Sequence, residues 1–115
     1  MEYDLEDRTL KFSENVIDLV KSINLDDVNK PLISQLVRSS TSVGANYCEA
    51  NGASSKKDFK NKIHLCKKEI KETKYWFKLL EKTNPEIREE MKPLQKEAQE
   101  LTLIFSKIVG TMNKN

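Results

Sequence analysis

Four apolar stripes constrain the fold of this 115-residue chain more than any other feature, each repeating at alternating steps of four and three residues and each ending in a turn signal. Such steps track the helical period, so each stripe marks the buried face of an amphipathic helix. Leu5, Thr9, Phe12, Val16, Leu19 and Ile23 form the first stripe. Leu10, Ile17 and Val20 widen it, as expected of a helix, about residues 7–23, that packs on more than one neighbour. Residues 1–6 read as a loose acidic lead.

Asn24 to Lys30 then carries Asp26, Asp27 and Asn29, whose short polar side chains compete for backbone hydrogen bonds, and Pro31 suits the first turn of a helix over 31–51. Its seam is Ile33, Leu36, Ser40, Val43, Tyr47 and Ala50, with Val37, Thr41, Gly44 and Cys48 beside it. Small residues dominate here: Ser39, Ser40, Thr41, Ser42, Gly44 and Ala45 fall in one run. A mid-helix glycine costs about 1 kcal/mol relative to alanine, so close approach of another helix is expected at Gly44.

Gly52 suits a left-handed helix end and Ser55 the next N-cap, with Asp58 three residues on. Phe59, Ile63, Cys66, Ile70, Thr73, Phe77 and Leu80 then run without a breaker, giving a helix over 55–81. At 1.5 Å per residue it spans roughly 40 Å, a length natural to a bundle. Asn84 reads as the N-cap and Pro85 as the first residue of a fourth helix over 86–112, with the stripe Ile87, Met91, Leu94, Ala98, Leu101, Phe105, Ile108 and Met112. Pro93 is expected to kink it or to split off a short preceding turn, and Gly110 with the tail Asn113 to Asn115 reads as fraying. Four helices joined by short turns predict an all-α fold, an antiparallel up-down-up-down four-helix bundle filling residues 1–115 as one domain.

Three glycines, three prolines and 7% aromatic residues disfavour a turn-rich β architecture. Cys48 and Cys66 lack the C-x-x-C spacing of a metal or redox site and read as buried, reduced thiols. The acidic start at Glu2, Asp4, Glu6 and Asp7 offers no apolar leader, and no run approaches the roughly 18 apolar residues of a membrane span. A cytoplasmic protein without a membrane role is expected.

Catalysis finds no support in the residues. His64 is the single histidine and sits among lysines, which would repel a cation, so a surface position is expected. Glu69 and Glu72 resemble half of a carboxylate metal site, but such bundles use Glu-x-x-His on two helices. Ser39 to Ser42 has no base to activate a nucleophile, and no glycine-rich phosphate loop is present. No catalytic residue, metal, cofactor or small-molecule substrate is expected.

The distribution of charge says more than its sum, +2. Residues 1–28 hold eight acids against three bases, a balance of −5, whereas 56–82 hold ten lysines against four acids, a balance of +6. Lys60, Lys67, Lys71, Lys74 and Lys78 share one stripe of the third helix, a spacing that can track phosphates, with a solvated lysine face that keeps the protein soluble as the alternative. Glu69 and Glu72 flank the seam, with Arg38 and Asn46 of the second helix as candidate partners and solvent as the alternative.

The run Leu36 to Ala50, then Ser55 to Lys62, then Lys67 to Leu80 resembles the four-helix-bundle family of 23S rRNA-intervening-sequence proteins. Its pattern of R-S-x-x-S-x-x-x-N-x-x-E, a D-F pair and K-E-x-x-E-T-x-Y-W is met at Arg38, Ser39, Ser42, Asn46, Glu49, Asp58, Phe59, Lys68, Glu69, Glu72, Thr73, Tyr75 and Trp76. The resemblance implies a bacterial cytoplasmic protein without known catalysis, a ring-shaped homo-oligomer, typically a pentamer, and kinship with an accessory protein of diversity-generating retroelements that binds nucleic acid. It also implies that Arg38, Ser39, Ser42, Asn46, Glu49, Glu69, Glu72, Tyr75 and Trp76 form a polar network or an interface. The expectation is a non-catalytic homo-oligomer binding RNA or DNA nonspecifically through the lysines of the third helix. The alternative is a protein-interaction scaffold in which those lysines only solubilise.

Overall fold

Each stripe turns inward. In the computed structural model, which describes residues 4–114, the chain forms α1 (Leu5–Val20), α2 (Asn29–Asn51), α3 (Lys56–Thr83) and α4 (Arg88–Asn113), with a 3-10 turn at Pro85–Ile87. All six residues of the first stripe are buried, as are Ile63, Cys66, Ile70, Thr73, Phe77 and Leu80 of α3 and Met91, Leu94, Ala98, Leu101 and Phe105 of α4. Phe12 and Phe77 meet edge to face across the core, their centroids 6.4 Å apart.

Cross-helix bonds give the direction of each helix. Thr83, Thr73 and Lys62 of α3 bond Asn29, Ser39 and Glu49 of α2 in reversed order. Ser13 and Glu6 of α1 meet Ser40 and Asn51 of α2, while Lys74 and Glu81 of α3 meet Gln99 and Gln95 of α4. Each neighbour is therefore antiparallel, and the helices stand in chain order around a bundle of 47 × 23 × 21 Å. The α1/α4 edge is the thinnest. Close approach at Gly44 comes from α1: a Cβ built there would lie 3.1 Å from Thr9 Oγ1 and 3.3 Å from Thr9 Cβ.

The helix ends depart from expectation. Asp4 caps α1 by accepting the Asp7 N–H, so the helix starts at Leu5 rather than near Asp7; Met1 to Tyr3 of the acidic lead and Asn115 of the tail lie outside the described residues. Asp26 accepts the N–H groups of Val28 (3.0 Å) and Asn29 (2.7 Å), which starts α2 two residues ahead of Pro31. Gly52 is not left-handed (φ −99°); the α2 end instead tightens through the Ala53 N–H to Ala50 carbonyl bond. Ser55 does cap α3, accepting the Asp58 N–H at 3.0 Å. Asn84 caps nothing in α4: it is buried and turns back to the α3 carbonyl of Leu80. The break before α4 falls at Ile87, and α4 continues through Pro93, where the proline withholds an N–H from the Glu89 carbonyl.

Two side-chain expectations fail for one reason: period identifies an inward face but not how far its margin is covered. Cys48 is exposed, whereas Cys66 is buried, with its thiol 3.5 Å from the Val43 carbonyl and its pKa pushed up to about 12 by burial. Leu10 and Ile17, at the margin of the α1 stripe, are exposed too.

Candidate nucleic-acid interface

The lysines of α3 gain their setting from where its acids go. Arg38 of α2 donates through Nη1 to Glu69 Oε1 (3.1 Å) and through Nη2 to Glu72, while its Nε donates to Gln35 (3.0 Å). A planar guanidinium suits such a fork, and Glu69, only 12% exposed at its side chain, needs the charge partner. Burial lowers the Arg38 pKa, but the two carboxylates outweigh that and raise it above its ordinary value. Farther along, Arg88 lies 3.3 Å from Glu81, which also accepts from Gln95 at 2.9 Å. Every α3 carboxylate from Glu69 onward is thus held by an arginine from another helix.

The lysines keep no such partners. Lys60, Lys67 and Lys74 recur every seven residues of α3, half-buried, and Lys71 and Lys78 stand exposed beside them. Among the described residues none of the five forms an ion pair. Lys74 donates to Gln99 of α4, a neutral acceptor. Lys62 is different, because Glu49 accepts its ammonium at 2.6 Å and raises its pKa. Five ammonium groups without a carboxylate partner among the described residues thus line roughly 27 Å of α3.

The motif residues divide into separate groups. Asn46 donates to the Ser42 carbonyl (2.9 Å) rather than to a glutamate, and Ser42 donates to the Arg38 carbonyl (2.7 Å). Ser39 is buried and accepts from Thr73 Oγ1 at 2.9 Å, tying α2 to α3. Glu49 stands apart from Arg38 with Lys62. Tyr75 is exposed and packs edge to face on Trp76 at 5.2 Å, whose buried Nε1 has no hydrogen-bond partner.

Sequence reasoning missed Arg88 and Gln99. Arg88 follows Glu81 by seven positions across a turn, where helical spacing rules no longer apply, and Gln99 carries no charge that would mark it as a partner of Lys74. His64 is exposed. Among the described residues no cluster of His, Cys, Asp or Glu is arranged to hold a metal, and no helix is long and apolar enough to cross a membrane.

No curated protein matches the chain. A crystal structure of a protein of unknown function from the S23 ribosomal protein family of Bacteroides thetaiotaomicron superposes with a TM-score of 0.79 at 31% identity, covering 90% of this chain and 96% of that one. The family model for 23S rRNA-intervening sequence proteins matches residues 1–107. With four antiparallel helices and that match over nearly its whole length, this chain belongs to the 23S rRNA-intervening sequence protein family.

Proposed function

We propose that this protein is a non-catalytic cytoplasmic homo-oligomer, five copies by family resemblance, that binds RNA or DNA nonspecifically through the α3 flank bearing Lys60, Lys67, Lys71, Lys74 and Lys78. The observation that supports it is the segregation of charge on α3: its later acids are held by Arg38 and Arg88, while the five lysines have no carboxylate partner among the described residues. A bundle carrying only +2 overall can then still offer a strong local field. Lysines contact phosphates and discriminate little between sequences.

The test is binding of the purified protein to a fluorescent structured RNA and to a duplex DNA at low and near-physiological salt, with mass measured by light scattering in the same buffers. Salt-sensitive binding by an oligomer, lost in K60E/K74E while the mass holds, is the expected result. No binding to either at low salt would overturn the nucleic-acid reading and leave a protein-interaction scaffold as the better account.

A further inference from the structure

The outer faces of α1 and α3 are complementary, and they point to opposite sides of the molecule. On α1, Asp7, Leu10, Glu14, Ile17 and Asp18 are all exposed, Leu10 by 58% and Ile17 by 38%. The first four repeat at steps of three and four, so apolar and acidic side chains alternate along one helical stripe. Lys11 and Lys21 are the exposed cations of this side. Arg8 does not offset these acids: it is drawn to the α4 edge by Glu97, with Glu100 at 3.5 Å, and those two acids raise its pKa.

On α3, His64, Lys68, Lys71, Tyr75, Lys78 and Lys82 are exposed at steps of four and three, with Tyr75 56% exposed. Leu65 adds a second apolar contact beside them, 37% exposed. The one acid within this face, Glu72, is engaged by Arg38. A shallow depression between His64, Lys67, Lys68, Lys71, Glu72 and Tyr75 gives the face relief into which a side chain can seat.

Within one chain these faces cannot meet. The perimeter runs α1, α2, α3, α4, so α1 and α3 occupy diagonal corners and reach each other through core rings such as Phe12 and Phe77. Two different, mutually complementary patches on opposite sides of a molecule make a head-to-tail contact, which closes into a ring or extends as a filament. We infer that the α1 face, Asp7 to Asp18, of one copy docks on the α3 face, His64 to Tyr75, of the next. Leu10 and Ile17 lie against Tyr75 and Leu65, and the α1 acids face Lys68 and its neighbours. The inference rests on the homo-oligomeric part of the proposed function and names its interface. Docking covers the acidic α1 face together with Lys68 and Lys71, so in the assembly the phosphate contacts of the proposed function fall to the lysines outside this face, Lys60 and Lys74 first.

Charge swapping tests it. Glu14 and Lys68 are exposed and have no ion-pair partner among the described residues, so Glu14→Lys, Lys68→Glu and the double variant should all fold, which far-ultraviolet circular dichroism checks. Each single variant is expected to raise the concentration of half-assembly about tenfold or more by light scattering, and the double variant to restore native assembly, because the exchanged charges at positions 14 and 68 are again opposite. If the native chain is multimeric but the single variants assemble unchanged, this interface is wrong while the oligomer stands. The pairing also fails if both singles dissociate and the double variant does not recover. A native chain monomeric at every concentration overturns both readings.

Discussion

Asn29 and Asn84 lie 55 positions apart and pair amide to amide at one end of the bundle: Nδ2 of Asn29 donates to Oδ1 of Asn84 at 3.1 Å, and Nδ2 of Asn84 returns the bond at 2.9 Å. Both are buried, and Thr83 Oγ1 adds a third bond to Asn29 Oδ1 at 2.8 Å. The pair joins the start of α2 to the end of α3. Removing one amide strands the other in a dry site, so Asn29→Ala and Asn84→Ala should each cost roughly 1–3 kcal/mol in urea unfolding. The double variant should cost less than the sum, by about 1 kcal/mol, because the second removal finds the amide pair already broken. Additive costs would show that the amides act independently.

Two glycines in helices should respond to alanine with opposite signs. At Gly44 a new Cβ meets Thr9, which cannot move aside easily because its hydroxyl is buried and donates to the Leu5 carbonyl at 2.6 Å. The gain in helix propensity is then outweighed by overpacking, and Gly44→Ala should destabilise by about 1 kcal/mol. At Gly110 nothing lies within 4 Å of the new carbon. Gly110→Ala should stabilise by roughly 0.5–1 kcal/mol, both read from thermal or urea midpoints.

Arg38 holds two carboxylates of α3 at once, and the fork geometry matters more than the charge. Arg38→Ala leaves Glu69 buried without its cation and should cost about 1–3 kcal/mol. Arg38→Lys should recover only part of this, since one ammonium cannot reproduce the bonds to Glu69, Glu72 and Gln35. Full recovery by lysine in chemical denaturation would refute the role given to the fork.

The two thiols should separate by reactivity. Cys48 is exposed and should react with a thiol reagent in the native protein, whereas Cys66, neutral until about pH 12, should react only on unfolding. Burial raises the folded pKa above the ordinary 9.0, so the neutral thiol favours the fold fully below pH 9. That contribution is lost as pH rises from 9 towards 12. Equal labelling rates for the two cysteines in buffer at pH 8 would contradict the burial of Cys66.

The seams were legible because burial of one helix face leaves a period in the sequence: every position of the α1 stripe is buried, down to Ile23 beyond the helix end. Gly44 was legible through the energetic cost of a glycine in mid-helix, and α1 supplies the close neighbour. Asn84 was not, since an asparagine before proline favours an N-cap locally, and only Asn29, far off in sequence, draws it into the core. Asp26 was seen as a turn residue, yet its reach to the Val28 and Asn29 amides, which moves the α2 start, depends on a loop path that no period encodes. For the lysine flank, sequence showed the stripe but not its surroundings. That Arg38 and Arg88 draw the α3 acids away is a property of three helices together.

The most direct measurement of the central claim is the affinity for a structured RNA as a function of salt, for the native protein and for Lys67→Gln and Lys74→Gln. Phosphate binding by the α3 flank requires the logarithm of affinity to fall linearly with that of salt, and each lost contact to reduce the slope by about 1. Affinity that ignores salt, or a slope unchanged in both variants, would contradict it.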